Sequence, residues 1–158
     1  EYKPTELNFS KITDEVLRSH YYFENSDKIA KILNIEKDVI YYSDEERVKI
    51  ILNNLISNSI KFTDLNKDNP NLEICVSNQK GLIRIKVRDN GLGIAKDLQP
   101  KVYEMFYRAH KKADGAGIGL YIVNETVKKL NGSIHLSSEE GEYTEVNIFI
   151  PNQTKAIV

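Results

Sequence analysis

Leu72-Glu73-Ile74-Cys75-Val76-Ser77-Asn78-Gln79 and Leu82-Ile83-Arg84-Ile85-Lys86-Val87-Arg88-Asp89 decide the architecture. In both stretches apolar residues alternate with polar ones, the period of a strand with one face buried. Asn78–Gly81 between them suits a turn, so the pair is expected as an antiparallel hairpin. Ser133–Ser138 and Tyr143–Pro151 read as a second strand pair. Between the two pairs, Leu120, Val123, Val127 and Leu130 fall on one helical face, closed by Asn131-Gly132 after Lys128 and Lys129. Ahead of the first hairpin, Val48, Ile51, Leu52, Leu55, Ile56 and Ile60 form a longer apolar stripe. Ser43 and Glu46 are expected to cap that helix as a capping box, and it fades near Thr63. Asp64–Asn71 reads as a polar loop.

Further upstream, Ile12, Val16, Leu17 and Tyr21 mark an amphipathic helix over Ser10–Glu24. Lys28–Ile35 and Lys37–Tyr42 read as two short strands with a turn between them. Glu1–Asn8 is polar and reads as linker. The order is helix, two strands, helix, hairpin, loop, helix, hairpin. Antiparallel hairpins with helices over one face give an α+β fold, a two-layer sandwich. It is not the alternation of a doubly wound sheet.

The 158 residues fit one domain, and a hydrophobic fraction of 41% suffices for a single core. Lysine and arginine number 22 against 23 acidic residues, a net charge of −1. That balance argues against a nucleic-acid module. Cys75 is the single cysteine, which points to a reducing compartment. No apolar run reaches the roughly 18–20 residues of a membrane span, so no direct membrane contact is expected. The chain begins with Glu1, as a fragment of a longer protein would.

Two glycine clusters carry the chemistry: Asp89-Asn90-Gly91-Leu92-Gly93-Ile94 and Gly115-Ala116-Gly117-Ile118-Gly119-Leu120. Glycines let backbone amides approach phosphate closely, and a helix starting at the second cluster would aim free amides at anionic oxygens. Neither cluster fits the Rossmann context, and no Lys-Ser or Lys-Thr closes a Walker loop. Asp89 can make an Asx-turn with its own backbone, or accept a hydrogen bond from an amino group such as that of adenine. Asn54 and Asn58 stand one turn apart on the apolar-faced helix. They are either polar positions at its edge or amide ligands for a hard cation such as magnesium.

Together these segments resemble the catalytic and ATP-binding domain of sensor histidine kinases, of the GHKL or Bergerat-fold superfamily. Asn54-Leu55-Ile56-Ser57-Asn58-Ser59-Ile60-Lys61-Phe62-Thr63 resembles the N box and Asp89–Ile94 the G1 box. Val102-Tyr103-Glu104-Met105-Phe106-Tyr107-Arg108 resembles the F box, and Gly115–Leu120 the G2 box. Gly141–Pro151, with Thr144, is similar to the family's last glycine-threonine strand. The boxes stand in the family's order and cover about Leu7 to Pro151.

The resemblance implies a mixed, mostly antiparallel sheet of about five strands under about three helices, with a flexible ATP lid. It implies Mg-ATP as the bound nucleotide. Asp89 would take the adenine amino group, with Gly91, Gly93 and Ile94 as the wall beside it and Thr144 lining the same side. Asn58 would ligate Mg2+, with Asn54 one turn earlier on the phosphate side and Lys61 adding charge there. Gly115, Gly117, Ile118, Gly119 and Leu120 would form the lid hinge and helix start. Lys96 to Gly115 would be the lid, carrying Tyr107, Lys111 and Lys112. Arg108 in that lid is either the γ-phosphate contact or a solvated charge. The reaction implied is transfer of the γ-phosphate to a histidine on a separate, dimeric phosphoacceptor domain, and from there to a response regulator. The full-length protein would be a homodimer, this part of it cytoplasmic. Residues 1–8 would link to the phosphoacceptor region, 9–151 form the catalytic domain and 152–158 a tail.

Ser59 stands where alanine is commoner in the family, Phe62 where tyrosine is, and Ala116 where serine or threonine is. Related ATPases place a water-activating glutamate where this chain has Asn54, and an amide is no general base. His20, His110 and His135 lack the phosphoacceptor pattern, so the acceptor is expected elsewhere. The other readings are a nucleotide-binding regulatory module without phosphotransfer, an anti-sigma-type serine kinase and a purely structural domain.

Overall fold

A computed structural model of the chain describes residues 1–104 and 119–153. Its elements are β1 (Pro4–Leu7), α1 (Phe9–Ser19), β2 (Ala30–Ile35), β3 (Tyr41–Asp44), α2 (Glu45–Lys61), β4 (Asn71–Gln79), β5 (Leu82–Asp89), α3 (Gly119–Lys129), β6 (Ser133–Glu139) and β7 (Tyr143–Pro151). Five strands form one sheet in the order β2-β4-β5-β7-β6, and β1 pairs with β3 separately. Only β2 against β4 is parallel in the larger sheet. The expected mixed, mostly antiparallel sheet of five strands with three helices is what forms.

Alternation along the strands builds the core. Leu72, Ile74 and Val76 of β4, Ile83, Ile85 and Val87 of β5, and Val146, Ile148 and Ile150 of β7 are buried on one face. Val48, Ile51, Leu52, Leu55, Ile56 and Ile60 of α2 and Val123 and Val127 of α3 belong to the same core cluster. The opposite sheet face carries charged pairs, Lys86 with Glu73 at 3.1 Å and Arg88 with Glu145 at 3.2 Å. The β4–β5 turn is Lys80-Gly81, both at positive φ (51° and 82°), the two-residue turn whose twist matches a hairpin. α3 stops at Asn131 in the left-handed conformation. The Asn131 amide donates to the Lys128 carbonyl and the Gly132 amide to that of Val127, each at 3.0 Å, a Schellman closure.

Several expectations are corrected. Pro4–Leu7, read as linker, pairs with β3, and Leu7 is buried. The first helix ends at Ser19, so Tyr21, expected inward, is exposed. The two strands after it do not pair with each other: β2 lies parallel to β4 and β3 joins β1. The cap of α2 is Asp44 rather than Ser43, which sits within β3. Asp44 accepts from the Arg47 amide (3.1 Å) and the Lys3 amide (3.1 Å), and meets the Arg47 guanidinium at 2.6 Å. A carboxylate here satisfies an orphan amide and complements the helix dipole at once. Burial opposes its ionisation, but those donors outweigh it and hold the carboxyl below its ordinary value.

A group depressed in the folded state contributes stability above its unfolded pKa and loses it as pH falls. Asp44→Asn is therefore expected to cost about 1 kcal/mol near neutral pH and to flatten the loss of stability below about pH 4. Urea melts from pH 2.5 to 7 measure both. Ile56→Ala, at 0% exposure under the sheet, is expected to cost about 2–5 kcal/mol in the same assay.

Candidate functional site

Alternation on β5 puts Asp89 on the core-facing side, directly opposite Thr144 of β7 and Leu72 of β4. Asp89 is 8% exposed. Oδ1 accepts the Gly91 amide at 2.9 Å, the Asx-turn geometry read as one option for this residue. The Ser59 hydroxyl of α2 donates to the same carboxylate. Burial nonetheless dominates and pushes the carboxyl up to about 6, against the Gly91 amide, Ser59, Lys67 and Arg88, which favour its ionised form.

Two glycines after it have physical causes. A Cβ on Gly91 would collide with the Phe62 carbonyl oxygen, which accepts the Leu92 amide at 2.9 Å. Gly93 sits at φ +64°, where a Cβ would strike the Glu139 backbone. The Leu92 carbonyl accepts the Gly141 amide at 2.7 Å, tying this turn to the end of the β6–β7 hairpin. The Ile94 amide donates to Ser138 Oγ at 2.9 Å, and that hydroxyl also lies 2.9 Å from Thr144 Oγ1. Gln99 Nε2 donates to the carbonyls of Ile94 (3.0 Å) and Ser138 (2.9 Å). Asp89 with Gly91, and Ile94 with Thr144 through Ser138, are thus gathered at the end of the sheet, with Gly93 against the Glu139 backbone.

α2 supplies the other side. Asn54 and Asn58 are half-buried, one turn apart. Asn54 Nδ2 donates to the Ile50 carbonyl of its own helix at 2.7 Å. Among the described residues nothing hydrogen-bonds the Asn58 amide. Lys61 is exposed in the last turn of α2. Gly119 and Leu120 open α3, and Leu120 packs against the core. Tyr107, Arg108, Gly115, Gly117 and Ile118 lie outside the described residues, as do His110, Lys111 and Lys112.

His20 caps the C-terminal end of α1. It is buried, with Nε2 at 2.8 Å from Asn53 Oδ1, and burial lowers its pKa. His135 is exposed on β6.

Sequence reasoning passed over Ser59, Ser138 and Gln99. Ser59 left a signal, a serine where the resembled family favours alanine. The structure accounts for it through the bond to Asp89. Nothing in the sequence marks Ser138 or Gln99, because the 94–99 loop meets Ser138 only in the folded chain, some forty residues apart in sequence.

Asp89 is thus a buried carboxylate beside two glycines whose surroundings leave no room for a side chain. The model of histidine kinase-, DNA gyrase B-, and HSP90-like ATPases matches residues 43–154. The chain belongs to that family. Within it the chain is a histidine-kinase ATP-binding catalytic domain, by the sensor kinases it is similar to. AtsR, a sensor histidine kinase of Burkholderia thailandensis, is 35% identical over 118 residues, 72% of this chain and 20% of that protein. WalK of Bacillus subtilis is 32% identical over 120 residues, 73% of this chain and 20% of WalK. The chain spans about a fifth of the length of these relatives. Full-length ShkA, solved in complex with AMPPNP, superposes with a TM-score of 0.83 at 25% identity, covering 99% of this chain and 32% of ShkA. The nucleotide-free catalytic domain of histidine kinase ThkA matches at a TM-score of 0.78 and 23% identity, covering 95% and 98%, and shares the fold. Among the described residues no helix is long and apolar enough to cross a membrane.

Burial of the Asp89 carboxylate carries a cost in stability. A carboxyl raised in the folded state favours folding below its unfolded pKa and loses that contribution as pH rises through about 6. Asp89→Asn is therefore expected to stabilise the free chain by about 1–3 kcal/mol at pH 8 and by almost nothing at about pH 3. Paired denaturant melts at the two pH values read the difference.

Proposed function

We propose that this chain binds Mg-ATP and donates its γ-phosphate to a histidine on a separate dimerisation and phosphoacceptor domain of the same protein. The observation that carries the reading is the buried Asp89 carboxylate, set between Ser59, Thr144 and two glycines that close contacts keep free of side chains. Asp89 accepts the adenine amino group, a charge-assisted bond in a water-poor recess. Gly91, Gly93 and Ile94 wall the base, and Thr144 lines its side. Asn58 on α2 is suited to Mg2+, since an amide oxygen is a hard donor. Among the described residues no three His, Cys, Asp or Glu side chains stand together to hold a metal. A cation at Asn58 would therefore complete its shell with phosphate and water, which is how magnesium is commonly held. Bound there, it would neutralise charge on the phosphates.

This chain's own residues do the rest. Asn54 faces the phosphate side without being able to take a proton from water, so phosphate is kept for a protein acceptor. Lys61 adds positive charge. Arg108 contacts the γ-phosphate, where positioning and charge stabilisation carry most of phosphoryl transfer. Tyr107, the glycines of 115–119, Ile118 and Leu120 shape the lid and its hinge. The phosphohistidine then serves a response regulator, in a homodimeric protein whose catalytic part is cytoplasmic.

The test incubates the chain with γ-labelled ATP and magnesium, alone and with the phosphoacceptor domain of the full-length protein supplied separately. Acid-labile label is expected on the added domain and none on this chain. Binding without transfer would instead mark a nucleotide-sensing module, and robust self-labelling would defeat the reading. Asn54→Glu is expected to raise phosphate release to water by about a hundredfold, the low side of what a general base contributes. An unchanged release rate counts against the role given to Asn54.

A further inference from the structure

Lys67 lies in the loop between α2 and β4, far in sequence from either glycine cluster. Its ammonium donates to three backbone carbonyls: Asn90 at 2.7 Å, Gly91 at 3.0 Å and Glu142 at 3.0 Å. A lysine ammonium has three protons, so these carbonyls use its full donor capacity. Two of the three belong to the turn that follows Asp89, and the third to the β6–β7 turn. Consecutive carbonyls converging on one point repel each other, and a cation between them removes that repulsion.

The same loop grips the turn again through Asn90. Asn90 Nδ2 donates to the Asn69 carbonyl at 2.7 Å, and its Oδ1 accepts the Asn71 amide at 2.8 Å. The Phe62 carbonyl takes the Leu92 amide. The turn carrying Gly91 is therefore held by the 62–71 segment, and Lys67 also reaches the neighbouring hairpin. We propose that Lys67 is a positioning residue for nucleotide-base recognition: its ammonium locks the Asn90-Gly91 turn to the β6–β7 turn, and so fixes the carboxylate of Asp89 in its recess. The inference rests on the reading of Asp89 as the adenine acceptor.

Lys67→Met keeps most of the apolar stem and removes the donors, Lys67→Arg keeps a cation with several donors, and Lys67→Gln is a milder loss should the methionine variant not fold. Two measurements on the 158-residue chain separate the possibilities. In the absence of nucleotide, amide exchange at Gly91 and Leu92 is expected to quicken about tenfold in Lys67→Met, the effect of losing roughly one charged hydrogen bond. In titrations with ADP and with adenosine, affinity is expected to fall by the same factor for both, again about tenfold, while Lys67→Arg stays within about threefold of the parent. Equal loss for adenosine means that the ammonium acts through the base pocket. A loss seen with ADP but not adenosine would make Lys67 a phosphate charge and overturn the proposal, as would unchanged exchange in both Lys67→Met and Lys67→Gln. A parent chain that binds neither ligand would refute the Asp89–adenine reading, while the exchange measurement still decides whether Lys67 holds the turn.

Discussion

The placement of one carboxylate out of water governs much of this structure. Asp89 ends a strand whose alternation is otherwise apolar on its core-facing side, and that alternation carries it inside. A buried carboxylate needs donors, and the surrounding chain is arranged to supply them. Gly91 is bare so that its amide can turn back to Oδ1 while the backbone passes the Phe62 carbonyl. Ser59 replaces a smaller residue so that α2 offers a hydroxyl. Lys67 and Arg88 lend charge from farther off. These donors do not fully offset burial, which leaves the carboxyl near 6. An amino group presented by a ligand would complete the set.

The rest of the fold makes that recess rigid. β5 is the middle strand of five, paired on both sides, and α2 covers it with six buried aliphatic residues. A site at the end of such a strand inherits its precision, since the backbone there cannot shift without disturbing three strands. The β6–β7 hairpin adds a second constraint. Ser138, Thr144, Gly141 and Glu142 all bond to the glycine turn or to the side chains that flank it. Residues from four separate stretches of sequence therefore converge on a few ångströms of backbone.

What was legible in the sequence was what is local. The hairpin of β4 and β5, the apolar stripes of α2 and α3 and the Asn131-Gly132 stop depend on spacing within a dozen residues, and all are present. Asp89 and the glycines after it were visible as a motif. The parallel pairing of β2 with β4 was not, because nothing within β2 records its partner forty residues later. β1 was missed for a related reason: Pro4–Leu7 has no alternation of its own and is a strand only because β3 lies beside it. At the start of α2, Ser43 and Asp44 can both cap a helix. Both lie in β3 and pair with β1, and it is the Asp44 carboxylate that accepts the Arg47 amide.

The helix that carries Asn54 and Asn58 joins scaffold to chemistry. Its apolar face is fully committed to the core, so its polar positions cannot rotate away from the site. Asn54 bonds its own helix through Nδ2, which fixes the amide along the helix axis. An amide held that way offers oxygen but no basic site. A carboxylate at the same place could take a proton from water, and on the proposed function that would spend the phosphate on solvent. The same helix can thus serve hydrolysis or storage according to one side chain. On the proposed function, an amide in place of an acid would keep the phosphoryl group for a protein acceptor, and the buried Asp89 at the other end would hold the nucleotide meanwhile.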